Sequence, residues 1–473
     1  MRSSAFGRLS VGMTEETTEE TAEKLRRPRR ALRVVRRILL SFVLVLALLV
    51  GWVYVSLNPG GDAPDPTTLG TNPELAAPDE QTIPTVHSAD VVGWPEGKTP
   101  TAPDGFRVTR FAEGLEHPRW LYELPNGDVL ASEAATIPRE EDSVIMDFFR
   151  WLRRNDGSGG PSANRITLLR DTDGDGVADV RTKFLENLNQ PFGMALVGNW
   201  LYVGNTNAVW RFPYRAGDTR IIAPGEKILD LPAGGYNNHW TRNIVTSPDG
   251  DKLYVTVGSG SNIGENGLQH ETRRAAVLEI NPDGSGERIL ASGIRNPNGL
   301  DFEPATGQLW SVVNERDLLG DDTAPDYLTR VRRGDFYGWP WSYWGQTDPR
   351  VEPQRPDLVA KAVTPDYSLG AHSAPLGLAF YDGTAFPEQY RGGAFIAEHG
   401  SWNRGYSVGY KVVYIPFRDG MPAGQPQDFL TGFKPDPTDT ETYGRPVGVL
   451  TDRSGGLLVT DDAADIVWRV SAR

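Results

Sequence analysis

The feature that most restricts how this chain can fold is a unit that recurs along it. Each copy opens with a Pro-containing loop, runs through a small apolar stretch and a turn, and ends on a strand of the Leu-Tyr-Val type. Copies read LEHPRWLYELPNGDVLASE from Leu115, LNQPFGMALVGNWLYVGN from Leu188 and HWTRNIVTSPDGDKLYVTVG from His239. Three more begin IRNPNGLDF at Ile294, SAPLGLAF at Ser373 and GRPVGVLTD at Gly444, the last running almost to the C-terminus. Intervals of roughly 50–80 residues leave room for a four-stranded blade plus loops in each. Within the copies, N-G-D, P-D-G-D, A-T-G and S-G-G link two apolar strands as hairpin turns do. A β-sandwich with coincidental hairpins is the competing architecture, but it does not explain why the same loop opens every copy. The pattern predicts an all-β fold, a six-bladed β-propeller over residues 103–473. Its repeat-opening loops converge on one channel mouth, where propellers bind ligands.

Ahead of the repeats, Ile38 to Leu57 carries no charge over about the length that crosses a hydrocarbon core. Trp52 and Tyr54 lie at its far end, and RRPRRALRVVRR at 26–37 precedes it. By the positive-inside rule residues 1–37 form a cytoplasmic tail and everything after the helix lies on the periplasmic or extracellular side. A cleaved signal peptide is the alternative, but the apolar run is long, starts far from Met1 and has no small-x-small site after it. Residues 58–102, rich in Pro, Gly, Asp and Thr, read as an extended linker or wrapping segment. An insertion at 137–163 contains IMDFFRWLRR, the pattern of a short amphipathic helix.

Composition removes some chemistries. A formal net charge of −14 argues against a nucleic-acid partner. The absence of cysteine excludes thiol catalysis and disulfides. Against that acidic background, several cations fall in or beside the repeat-opening loops: Arg295 in Arg-Asn-Pro-Asn, Arg404 in His-Gly-Ser-Trp-Asn-Arg, then Lys411, and Arg445 in Gly-Arg-Pro. Aimed at one channel they suit a polyanionic ligand, and singly they suit pairing with structural carboxylates. His239, one of six histidines, stands at such a loop beside Trp240 and Arg242 and can act as a base or as a structural ring. Asp171, Asp173, Asp175 and Asp179 resemble the start of a calcium loop, with Thr182 where a bidentate Glu is expected. A calcium-stapled hairpin and a bare Asp-Gly turn are both open there. The polar run from Asn314 through Asp317, Gly320 and Asp321 to Tyr327 suits either a hard-cation site or a network fixing the loop before FYGWPWSYWG.

Several strings together resemble the glucose/sorbosone dehydrogenase family, closest to its L-sorbosone dehydrogenase-like branch. They are GENG at 264–267, RRAAVLEINPDG at 273–284, SGIRNPNGLDF at 292–302, NERDLLGDDTAPDYLTRV at 314–331, FYGWPW at 336–341, EHGSWNR at 398–404 and GRPVGV at 444–449. The resemblance implies a six-bladed propeller using pyrroloquinoline quinone (PQQ) and Ca²⁺ to oxidise a sugar or sugar aldehyde. It also implies a respiratory electron acceptor. It makes His239 the base, and gives Arg295, Asn296, Arg445 and Arg404 or Lys411 to the cofactor. Asp317, Gly320 and Asp321 fall where the calcium-holding loop lies. Ser259 stands where glucose-oxidising members carry an acidic residue supporting the base. Competing readings are a non-catalytic propeller binding polysaccharide or protein, and a calcium-dependent lactonase.

Overall fold

Each apolar stretch in the repeats is long enough for one strand, and each Gly-containing turn reverses it, so the copies fold as antiparallel hairpins. The computed structural model describes residues 16–57, 60–80, 85–137, 155–157 and 159–473. The chain divides into two units, Met1–Asn58 and Pro59–Arg473. The first is a helix, α1, Glu16–Leu57. Its stretch Leu32–Trp52 is long and apolar enough to cross a membrane by length and composition. That stretch starts before the expected Ile38 and takes in Arg33, Arg36 and Arg37.

The second unit is the six-bladed propeller: among the described residues, six four-stranded sheets. Blade one holds Pro118–Glu123, Val129–Glu133, Arg165–Arg170 and Val180–Leu185. Blade two holds Met194–Val197, Trp200–Asn205, Ala208–Pro213 and Glu226–Asp230. Blade three runs Ile244–Thr246, Leu253–Val257, Ala276–Ile280 and Arg288–Ser292. Blade four runs Asn296–Phe302, Leu309–Asn314, Asp326–Arg330 and Tyr367–Gly370. Blade five has Pro375–Phe380, Ala394–Glu398, Lys411–Ile415 and Gln427–Leu430. Blade six has Pro446–Thr451, Leu457–Asp461 and Ile466–Ala472 from the C-terminus, and takes its outermost strand, Phe106–Glu113, from the front of the repeat region. That pairing runs from Phe106 opposite Ala472 to Glu113 opposite Ile466, and it closes the ring.

The first strand of each blade is innermost and lies beside its counterparts on both sides. Glycine at one position of these strands permits that approach. A Cβ on Gly299 would sit 2.7 Å from Leu378 Cβ in the next blade, and one on Gly448 2.6 Å from the Arg119 carbonyl. Between blades the apolar faces interdigitate. Phe106 of the closing strand meets Phe386 at 4.7 Å and Phe429 at 5.2 Å, both edge-on, the geometry aromatic quadrupoles prefer.

The segment expected as a linker is not a free spacer where it is described. Gly70 bridges to Ser368, Asp90–Val91 pairs in parallel with Glu441–Thr442, and Thr101 bridges to Thr431. The segment is called the belt below. The helix expected in IMDFFRWLRR lies outside the described residues.

Candidate functional site

Strands in a blade alternate in direction, so the loop entering each innermost strand and the loop joining the second and third strands share one face. That face is the mouth. His239, Arg295, Asn296 and Arg445 belong to entering loops or to the strand they enter, and the 315–325 and 399–410 loops join second to third strands. Asp171–Asp179 joins the third and fourth strands of blade one and so lies on the opposite face.

His239 is half-buried, and its loop is pinned from beneath. The fully buried Arg242 donates to the His239 and Thr241 carbonyls at 2.6 and 2.8 Å, and to Pro232 O and Asn237 Oδ1. Burial, and then neighbouring Arg274, pull that guanidinium down to about 9. His239 Nδ1 lies 2.9 Å from both the carbonyl and the hydroxyl oxygen of Ser259. A carbonyl only accepts, and the Ser259 hydroxyl donates its own proton to Ser261 O at 2.7 Å. Nδ1 therefore carries the ring proton, and Nε2 is the basic nitrogen. Asn296 is the near neighbour: a Cβ on Gly258 would lie 2.5 Å from His239 Cβ and 2.6 Å from Asn296 Oδ1. Asn314 fixes this amide, because its Nδ2 donates to Pro375 O and its Oδ1 takes Asn296 Nδ2 at 3.2 Å. Asn296 Oδ1 is left buried with no partner among the described residues. Next to His239, between its neighbours Asn237 and Trp240, opens a cleft of about 430 Å³ whose lining also includes Thr136, Asn189, Gln190 and Thr206, with no charged side chain among the described residues.

Arg295 enters blade four fully buried, and all five of its N–H groups are engaged. It bonds Asn262 through its carbonyl and Oδ1, the carbonyls of Asn314 and Glu315, and Asp317 Oδ2 at 3.1 Å. Asp321 takes Gly405 N–H at 2.8 Å through Oδ2, while Arg404 bonds the Asp321 carbonyl and Asp322 Oδ1. The Gly320 carbonyl meets His372 Nε2 at 2.9 Å, and His372 Nδ1 lies 3.9 Å from Asp317 Oδ1. The structure thus brings Arg295, Asp317, Gly320 and Asp321 into one network, with Arg404 at its edge. Lys411 does not join it: its ammonium pairs with Asp428 at 2.5 Å, on the outermost strand of blade five.

Across the mouth, Arg445 donates to the carbonyls of His399, Asp156 and Gly400, leaving two of its N–H groups without a partner among the described residues. His399 Nε2 is 2.9 Å from Asp462 Oδ1, and Arg119 pairs with the other Asp462 oxygen. Arg119 lies over the Trp240 ring at 5.4 Å, and its buried Nε has no partner among the described residues. Burial, then the Arg445 charge, push the His399 ring down to about 4. Burial acts to raise Asp462, but His399 and Arg119 overcome it and hold this carboxylate ionised. On the far face, Asp171, Asp173 and Asp179 bring carboxylate oxygens within 4.8 Å of one another, the arrangement a cation needs, without Asp175. Asp171 also takes Gly174 N–H at 2.7 Å and Gly176 N–H at 2.9 Å, so the turn is closed by its own backbone.

The stretch carrying most of this mouth, residues 202–400, matches the model described as Glucose / Sorbosone dehydrogenase. The resemblance is to that family. Residues 354–473, with Arg445 and Asp462, match a second model described as TrAA12-like. An uncharacterized protein of Borreliella burgdorferi is 34% identical over 242 residues, 51% of this chain and 62% of that protein. A pyrroloquinoline quinone-dependent pyranose dehydrogenase of Coprinopsis cinerea is 25% identical over 368 residues, 66% of this chain and 44% of that enzyme. The chain therefore spans less than two thirds of the length of either. The holo form of the pyranose dehydrogenase PQQ domain from Coprinopsis cinerea superposes with a TM-score of 0.64 at 19% identity, covering 80% of this chain and 98% of that one, and shares the fold.

Sequence reading had passed over Arg119, His372 and Asp462. Each sits inside or next to a repeat copy, at an entering loop or the end of a second strand, so repeat phase was the available signal.

Proposed function

We propose that the propeller is a PQQ-dependent oxidoreductase acting on a sugar or sugar aldehyde, with His239 as the base. The observation that carries this reading is the pairing of two acceptors at the mouth. The basic Nε2 of His239 and the orphaned Oδ1 of Asn296 flank the same glycine. Both can accept from a substrate O–H, Nε2 in place of the Asn238 amide that meets it at 3.4 Å, and the adjoining cleft lined by amides and hydroxyls suits a neutral polyhydroxy molecule.

The cationic side of the mouth fits a carboxylate-bearing quinone. Among the described residues, two N–H groups of Arg445 and the buried Nε of Arg119 meet no partner. Arg295 and Arg404 are held by protein oxygens and would act mainly through charge and shape, while Lys411 is paired with Asp428 outside that network. When bound, the quinone supplies the hydride acceptor, and Ca²⁺ on the 317–321 loop would polarise it. The chain's own residues do the rest. Ser259 keeps the Nδ1 proton in place, so Nε2 faces the substrate hydroxyl and takes its proton. Arg242 holds the loop, and with it the ring, at fixed height. On this reading α1 anchors the protein with its N-terminus in the cytoplasm, and electrons leave to a membrane carrier. The test is dye reduction by the full chain in detergent with Ca²⁺, with and without PQQ, across aldoses and sugar aldehydes. Quinone-dependent reduction with at least one of them supports the reading. None with any, and no quinone-induced rise in melting temperature, refutes it.

A further inference from the structure

Where it is described, the belt bonds to elements of blades four, five and six, among them the two loops that build the Arg295–Asp317 network. Asp79 N–H donates to Leu319 O at 2.9 Å, and Thr323 Oγ1 donates to Ala77 O at 3.1 Å. Gly320 has a φ of 106°, and a Cβ there would come within 3.2 Å of Asp79 Cβ, so belt and loop are fitted to each other. On the next loop His87 N–H bonds Trp402 O at 2.9 Å, and its Nδ1 lies 2.7 Å from Gly405 O. Asp62 offers its carbonyl to Arg404 at 3.3 Å.

One side chain joins the belt to both loops. Asn403 is fully buried. Its Nδ2 donates to the belt carbonyl of Thr85 at 2.7 Å, and its Oδ1 accepts the Leu318 N–H at 2.7 Å. Leu318 holds a left-handed φ of 67°, a conformation unfavourable for a leucine, so something outside the loop must hold it there. Leu318 is the residue after Asp317 and two before Gly320. The polarity of the amide matches its task, since a buried carbonyl needs a donor and a buried N–H an acceptor.

We propose that the belt is a working part of the mouth, with Asn403 as the positioning residue through which it sets the Asp317–Asp321 loop. The inference rests on the proposed function only for what that loop holds. The chain that leads from α1 to the repeats is therefore also the clamp on the loop: tension or release in the belt reaches Asp317 by way of Thr85, Asn403 and Leu318.

Hydrogen exchange on the full chain in detergent tests this without any ligand. In Asn403→Ala, peptides covering 315–324 and 76–86 should exchange about tenfold faster, with blade two unchanged. Asp79→Pro, which removes the belt N–H to Leu319 without touching either loop, should loosen 315–324 in the same way. Asn403→Asp keeps the acceptor for Leu318 but loses the donor to the Thr85 carbonyl, so the belt no longer reaches the loop and 315–324 should stay fast there too. Titration with PQQ and Ca²⁺ supplies the second readout, weaker binding in both Asn403→Ala and Asn403→Asp. Unchanged exchange at 315–324 in both Asn403→Ala and Asp79→Pro overturns the inference. So does a rise spread over all blades with a fallen melting temperature, the mark of a purely structural residue. Faster loop exchange with unaltered quinone binding upholds the clamp and removes the cofactor assignment from this loop.

Discussion

Ser259 fixes the proton of His239 with a hydroxyl and a carbonyl, where a carboxylate would also stabilise the protonated ring. Ser259→Ala leaves the carbonyl and should lower kcat about three- to tenfold. Ser259→Asp should move the acid limb of the pH–rate profile upward by about one unit, because a nearby carboxylate raises the ring's pKa. Both are read from initial rates across pH. His399 makes the opposite case. Its ring is pushed from 6.5 down to about 4 by burial and by Arg445, so it is neutral in the folded chain while the unfolded chain binds a proton. Its contribution to stability is therefore complete above pH 6.5 and is lost as pH falls through 4. Between these limits, denaturation of His399→Asn should show a stability–pH slope shallower than the native chain's by about one proton. An equal slope in the two proteins would contradict the assignment. At this scale the place of His239, Arg295 and Arg445 at the mouth was legible because each opens a repeat. Arg119 was not, since Pro-Arg-Trp reads as the start of a core strand and its partner Asp462 lies 343 residues away.

The repeat gave blade number and the direction of the mouth, because strand length and turn residues are local properties. It did not show which strand completes the sixth blade. Phe106–Glu113 has no copy-like loop before it, and its partners lie at the other end of the chain. Linker and wrapping segment stayed equally open for a related reason: a Pro- and Gly-rich segment has the same composition whether it is free or held by single hydrogen bonds to loops. Conversely, the glycine of the innermost strands is a signal that sequence does carry. Gly448→Ala would drive a methyl group against the Arg119 carbonyl and should destabilise by about 1–3 kcal/mol in chemical denaturation, while also displacing Arg119. On the far-face hairpin, Asp171→Ala removes the acceptor for two backbone N–H groups and should speed exchange at Gly174 and Gly176 with or without calcium.

Ring closure ties the two ends of the propeller together, so its weakest seam governs the whole. Phe106 belongs to the closing strand and packs among Phe386, Tyr390 and Phe429. Phe106→Ala should cost about 3–5 kcal/mol, read as a lower melting temperature with a single cooperative transition for the propeller. Closure also puts Arg119 of blade one against Asp462 of blade six, so the mouth forms only when the ring does. The account's central claim is that one ring nitrogen at this mouth takes the substrate's proton. Its most direct measurement sets PQQ binding beside turnover in His239→Ala. The account predicts quinone affinity within about threefold of the native chain and turnover lower by about a hundredfold or more. Full turnover in that variant would contradict it.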